Sequence, residues 1–156
     1  MRKKLLSVLI VFVLLMMVIL PAAAITNGDS DVMLFGSSGK VIRFKESDVR
    51  AMGRTARGVR GIKLRGEQAV ISLIIPDAEG EVLIASENGY GKRSAIADYS
   101  VIGRGGQGVI GMKLSERNGA VVGAIQIFSG DEVMLISDQG TLVRTRSEEV
   151  SVQGRN

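Results

Sequence analysis

The chain has 156 residues, is 46% hydrophobic and 23% charged, and carries a formal net charge of +4, so it holds enough apolar material for a folded core and does not read as a disordered polymer. It contains no cysteine and no histidine. That excludes disulfides, a lipid attached through an N-terminal Cys, the usual zinc sites and the Ser-His and Cys-His nucleophile pairs. The expectation is a binding module with no catalytic residue, no metal ligand and no cofactor.

Residues 1–24 begin with Met1-Arg2-Lys3-Lys4, continue as an apolar run from Leu5 to Leu20 broken only by Ser7, and end in Pro21-Ala22-Ala23-Ala24. A basic start, an apolar middle and small residues where cleavage would fall are the parts of an export signal. The run is shorter than the roughly 20 residues that span a bilayer comfortably. One hydrophobic helix is expected at Leu5–Leu20; if it is retained as an anchor, residues 5–20 would contact the membrane. Residues 25–31 are a polar linker with turn chemistry.

The folded part follows. Val32–Phe35, Val82–Ala85 and Val133–Ile136 are short apolar strands, each leading into a turn: Ser37-Ser38-Gly39, Glu87-Asn88-Gly89 and Asp138-Gln139-Gly140. Asn88-Gly89 is the strongest hairpin signal, because both residues tolerate positive φ. Strands Lys40–Phe44, Gly91–Ile96 and Thr141–Thr145 come next. Val70–Ile75 and Val121–Phe128 are continuously apolar, as strands buried on both faces would be. A further strand is expected at Gly58–Leu64 and at Gly108–Leu114. Met33, Met52, Met112 and Met134 alternate with aliphatic residues and read as core fill.

These elements repeat. Ser37–Leu64 returns fifty positions later as Glu87–Leu114, aligning Gly39 with Gly89, Arg43 with Arg93, Gly53-Arg54 with Gly103-Arg104 and Lys63-Leu64 with Lys113-Leu114. A third copy, one residue further on, places Gly140 and Arg144 at the same positions. A period near 50 residues fits a four-stranded propeller blade. The fold class is therefore all-β, a partial β-pinwheel or β-propeller-like array of about two and a half four-stranded blades, with units 32–64, 69–114 and 121–156. In this division the first unit lacks its preceding buried strand, the third lacks its last, and unpaired edges remain at both ends, as in a piece of a longer ring.

Charge is uneven along the repeats. From Ser37 to Arg65 there are nine Lys or Arg against Glu46 and Asp48, whereas residues 25–156 as a whole carry 17 basic and 16 acidic groups. Arg43, Arg93 and Arg144 hold one equivalent strand position, where a row of guanidiniums could follow a duplex through its phosphates or could merely occupy a solvated position that favours Arg. Arg54, Arg57 and Arg60, and likewise Arg104, lie in Gly-rich loops whose backbone could come close to an anion or could merely turn the chain. Lys40, Lys45, Lys92 and Arg146 complete the candidate DNA-contacting set. No helix pattern follows Gly103-Arg104-Gly105-Gly106-Gln107-Gly108, so it is not a dinucleotide motif. Glu46, Asp48, Glu148 and Glu149 read as surface.

At Gly36-Ser37-Ser38-Gly39-Lys40 through Gly58-Val59, at Asn88-Gly89-Tyr90-Gly91-Lys92-Arg93 and at Gly140-Thr141-Leu142-Val143-Arg144-Thr145-Arg146, the chain resembles the C-terminal domain of DNA gyrase A, with the corresponding domain of topoisomerase IV as a close relative. The likeness covers residues 31–156. It implies the later blades of a six-bladed β-pinwheel whose blades exchange a strand and whose basic rim wraps DNA. It also implies double-stranded DNA, the rest of gyrase A and gyrase B as partners, a cytoplasmic location, and a role in ATP-dependent supercoiling by a type II topoisomerase. No ATP site is implied here, and Tyr90 and Tyr99 match strand positions rather than the family's catalytic tyrosine. The family's heptapeptide Gln-Arg-Arg-Gly-Gly-Lys-Gly is absent; Ile102-Gly103-Arg104-Gly105-Gly106-Gln107-Gly108 is its nearest equivalent. The alternative, resting on the leader alone, is an exported or membrane-anchored β-propeller-type binding protein.

Overall fold

A computed structural model of the chain describes residues 24–155. The helix expected at Leu5–Leu20 lies outside the described residues. Among those described, the chain forms strands β1 (Asp31–Gly36), β2 (Lys40–Lys45), β3 (Val70–Ile74), β4 (Glu81–Ser86), β5 (Gly91–Ala95), β6 (Val109–Ile110), β7 (Val121–Ile127), β8 (Glu132–Ile136) and β9 (Leu142–Arg146). Their helical content is three short 3-10 turns, each directly after the second strand of a hairpin. The all-β assignment stands.

Each unit is built on a hairpin. Apolar residues opposite one another, such as Val32 with Phe44 and Leu34 with Ile42, fix the β1–β2 register, and Leu83 with Arg93 and Met134 with Arg144 repeat it in β4–β5 and β8–β9. All three turns close the same way: the N–H groups of Gly39, Gly89 and Gly140 donate back to Gly36, Ser86 and Ser137 at 2.9, 3.0 and 3.0 Å. No described residue other than glycine takes positive φ. Asn88 therefore does not share the left-handed conformation with Gly89; one residue per turn bears it, which marks a type I turn closed by a glycine rather than a two-residue mirror-image turn.

The strands assemble into a four-stranded sheet ordered β3-β1-β2-β6, a three-stranded sheet ordered β5-β4-β7, and the pair β8-β9. This corrects the expected unit boundaries. Val70–Ile74 does not open the second unit but closes the first, pairing Met33 with Ile74 and Phe35 with Ser72 on β1; β7 likewise closes the second unit on β4. The first blade thus has its apolar outer strand, and its fourth strand is lent by the next unit, β6 pairing Lys40 with Ile110 and Val41 with Val109 on β2.

The further strand is correspondingly shorter than expected. Of Gly108–Leu114 two residues are strand, and Gly58–Leu64 contains none. The segment leaves the extended region at Gly108, whose φ is +71° and where a Cβ would collide with the Val41 carbonyl. Val59-Arg60, the equivalent of Val109-Ile110, has no described strand to pair with.

The main core lies where the first two blades meet, joining Met33, Phe35, Val41 and Ile74 to Val82, Ile84, Ile96, Tyr99, Met112, Val121 and Ala124. Phe35 and Tyr99 meet edge to face at 6.5 Å between ring centres. Neither tyrosine is in a strand as expected: Tyr99 follows a 3-10 turn and is buried behind this contact, whereas Tyr90 lies just before β5 and is exposed. β7 buries Val121, Ala124 and Ile127 but exposes Val122 and Ile125, so it is not covered on both faces as its unbroken apolar run predicted. The methionines divide too: Met33 and Met112 are core, while Met52 and Met134 are exposed, because Met134 sits on the two-stranded sheet, whose apolar residues Leu135, Leu142 and Val143 are exposed as well.

This division is testable. Met33→Ala should lower unfolding stability by about 2–5 kcal/mol, the usual range for emptying a fully buried site, whereas Met134→Ala should stay within about 0.5 kcal/mol, both read from urea midpoints at unchanged slope.

Candidate nucleic-acid interface

The three strand arginines do not form an exposed row. Each faces an acid twelve residues earlier on the neighbouring hairpin strand: Arg43 pairs with Asp31 at 2.7 Å, Arg93 with Glu81 at 2.6 Å, and Arg144 with Glu132. The first two then reach into the next unit. Arg43 donates to the carbonyls of Ile96 and Tyr99 at 3.0 and 3.1 Å, and Arg93 donates through Nε to the Val150 carbonyl at 2.8 Å. Their side chains are 19% and 16% exposed, against 64% for Arg144. These are charge-assisted contacts in a partly dehydrated setting, where one guanidinium joins two blades. Phosphate contact by Arg43 or Arg93 would require breaking them.

Other candidates are also held by the protein. Lys92 is buried, and its ammonium donates to the carbonyls of Gly154 and Arg155 at 2.8 and 2.9 Å. Burial pushes its pKa below the ordinary lysine value. Lys45 shares Asp31 with Arg43, at 2.8 Å. Desolvation pulls the Asp31 carboxyl upward, but its hydrogen bonds to Lys45 and Arg43 outweigh this and hold it below the usual aspartate value. Arg104 crosses between loops, donating to the carbonyls of Asp48 and Arg60 at 2.8 and 3.2 Å. Lys40 is half-buried on β2, and Arg146 is exposed at the end of β9.

The remaining candidates, Arg54, Arg57 and Arg60, are exposed on the long connection between β2 and β3. Sequence reasoning counts Arg50, Lys63 and Arg65 in the local charge but leaves them out of the site; they occupy the same exposed connection. None of the six forms an ion pair among the described residues. The connection is tied to the equivalent loop of the next unit by Lys63 N–H donating to the Gly106 carbonyl and by Arg104. Two Gly-rich loops thus lie side by side with the cations of the first facing solvent. Like charges at this density, unneutralised from within, favour binding a polyanion. In the second unit Lys113 and Arg117 are also exposed, and Arg117 stacks over the Tyr90 ring at 4.9 Å.

The β2–β3 connection also holds Glu46, Asp48 and Glu67, none of which pairs with these cations, while Glu148 and Glu149 lie on the third unit. Glu148 accepts from the Gly130 N–H at 2.6 Å and from the Ser129 hydroxyl at 3.2 Å, and chiefly the backbone bond lowers its pKa to about 2. Glu149 accepts from the Thr145 hydroxyl at 2.7 Å, which lowers its pKa as well.

Comparison with known proteins agrees with the blade boundaries seen in the strand pairing. The chain matches the family described as DNA gyrase C-terminal domain, beta-propeller, over residues 30–77, 80–127 and 131–156. It is 61% identical over 132 residues to the DNA gyrase A of Klebsiella oxytoca and 60% identical over 135 residues to that of Pseudomonas aeruginosa, covering 85% and 86% of this chain and 15% of each relative. Among solved structures it superposes on a DNA gyrase A C-terminal domain with a TM-score of 0.76 at 33% identity, covering 83% of this chain and 45% of the other. The C-terminal domain of DNA topoisomerase IV gives a TM-score of 0.77 at 20% identity, covering 85% and 42%, a likeness of fold.

Two measurements check the contacts of the site. Arg93→Ala should cost about 1–3 kcal/mol of stability, since it strands Glu81 and the Val150 carbonyl, while Arg144→Ala should cost less than about 1 kcal/mol. A carboxylate with a depressed folded pKa adds stability above its unfolded pKa and loses it as pH falls through the folded one. The Glu148 contribution should therefore be complete above about pH 4.5 and vanish towards pH 2. In Glu148→Gln, the fall in unfolding midpoint over that window should be smaller than in the parent chain.

Proposed function

The chain belongs to the DNA gyrase C-terminal domain family, and on that premise we propose that it binds duplex DNA through its phosphates and bends it along the blade rim, as the DNA-wrapping module of a type II topoisomerase. One observation carries the reading. The connection between β2 and β3 presents Arg50, Arg54, Arg57, Arg60, Lys63 and Arg65 to solvent with no acidic partner among the described residues. A phosphate backbone is the polyanion whose regular spacing such a surface can follow, and contacts of this kind set position rather than sequence. Arg43 and Arg93 support the function from inside, by holding successive blades at the angle that gives the rim its curve.

The chain spans about 15% of the length of the curated relatives it matches. Supercoiling driven by ATP, the remainder of gyrase A and gyrase B as partners, and a cytoplasmic setting beside chromosomal DNA are accordingly part of the proposal. In that scheme this chain contributes binding and path, and other regions contribute strand cleavage and ATP hydrolysis. No described helix is long and apolar enough to cross a membrane; the exported reading rests on residues 1–24 alone.

The test is the salt dependence of duplex affinity. Each phosphate contact contributes about 0.9 to the slope of log affinity against log salt, so Arg57→Ala should flatten the slope by about one and weaken binding to all sequences alike. Arg144→Ala, in the acid-paired third unit, should leave the slope close to the parent value. Duplex binding no stronger at low salt than that of an unrelated protein of equal net charge would refute the proposal.

A further inference from the structure

The strand arginines are held inside the protein, but another basic position recurs in the repeat and stays in solvent. Lys63 and Lys113 are equivalents, in Gly61-Ile62-Lys63-Leu64 and Gly111-Met112-Lys113-Leu114. Both are exposed, and neither enters an ion pair among the described residues. Each follows a buried apolar residue, Ile62 or Met112. The chain buries one side chain here and presents the next.

The two copies show this position beside different neighbours. Lys113 has the first blade against it: the N–H groups of Gly111 and Met112 donate to the Gly39 carbonyl at 2.8 and 3.1 Å, and Leu114 packs on the core shared by the two blades. Lys63 has the second unit against it, its own N–H donating to the Gly106 carbonyl at 2.7 Å. With the earlier neighbour in one copy and the later neighbour in the other, the ammonium remains in water, so its exposure is a property of the repeat. The backbone of each lysine is fixed, in the second unit by Asn118, whose Nδ2 donates to the Lys113 carbonyl at 2.8 Å while its Oδ1 accepts from the Ser115 N–H at 2.7 Å. A point charge on a flexible stem rooted in a fixed backbone meets a phosphate from many angles. The acids that follow in sequence, Glu67 and Glu116, are exposed and pair with neither lysine.

On the reading that the chain binds duplex DNA, we propose that Lys63 and Lys113 contact phosphates of one duplex as it passes from the first blade to the second. Lys113 carries the interface beyond the β2–β3 connection and onto the second unit. The recurring contact along the rim is thus this lysine, while the strand arginines set the angle between the blades that bear it.

The test measures duplex affinity against salt for the full 156-residue chain and for variants at these exposed positions. Lys113→Ala should flatten the slope of log affinity against log salt by about one, and Lys63→Ala with Lys113→Ala by about two, because each lysine releases counterions from its own phosphate. Lys113→Arg should keep the parent slope. Lys113→Ala combined with Glu79→Gln, which restores the net charge at an exposed position on the linker between the blades, should stay as flat as Lys113→Ala. Return of the parent slope in that combination would show a diffuse field in place of a contact and overturn the inference, as would a double variant no flatter than Lys63→Ala. A slope flattened by Arg57→Ala but unchanged by Lys113→Ala would overturn the inference and leave the proposed function standing. A parent chain that does not bind duplex DNA would remove both.

Discussion

The structure depends on one repeated interaction, the guanidinium that bridges an acid on its own hairpin to backbone carbonyls of the next unit. Arg43 satisfies Asp31 and then the carbonyls of Ile96 and Tyr99; Arg93 satisfies Glu81 and then the Val150 carbonyl. A hairpin alone is marginal in water; the first hairpin shares a lent strand, a common core and this polar latch with its neighbour, and the second shares a smaller core and the latch with the third. The latch is directional where the core is not. Apolar packing around Phe35 and Tyr99 tolerates small rotations, whereas five N–H donors in a rigid fork accept few geometries. That sets the angle between blades, and hence the curvature of any surface the blades present together.

The proposed function divides anchoring and binding between two sets of arginines. Those on strands are neutralised at short range and partly dehydrated, so their charge is satisfied inside the protein. Those on the β2–β3 connection are solvated and unpaired among the described residues, so their field extends over about a Debye length and is available to a polyanion. Arg104 stands between the groups, donating to the carbonyls of both Asp48 and Arg60 and so tethering the loop that bears the free cations.

The repeat makes most of this legible in the sequence. A fixed offset aligns hairpins, turn glycines and the strand arginines, and the number of complete blades follows. What the offset leaves open is the partnership of strands across units, because period and hydrophobicity describe a strand but not which edge it joins; Val70–Ile74 therefore reads as the start of a unit that it closes. Burial of Arg43 and Arg93 is the second point the repeat alone does not convey. The signal is nonetheless present: an acid stands twelve residues before each strand arginine, Asp31, Glu81 and Glu132, the separation that places acid and arginine diagonally across a hairpin on the same face. Met52 and Met134 give no such signal, since alternation with aliphatic residues looks the same on a covered and an uncovered sheet face.

The central claim is that strand arginines hold the blades while loop arginines meet the DNA. Following the arginine Nε–H resonances by nuclear magnetic resonance while duplex DNA is added separates the two sets directly. The account predicts that Arg54, Arg57 and Arg60 shift progressively with DNA while Arg43 and Arg93 keep the positions set by their carboxylate and carbonyl partners. Shifts at Arg43 and Arg93 with Arg54, Arg57 and Arg60 unmoved would contradict it.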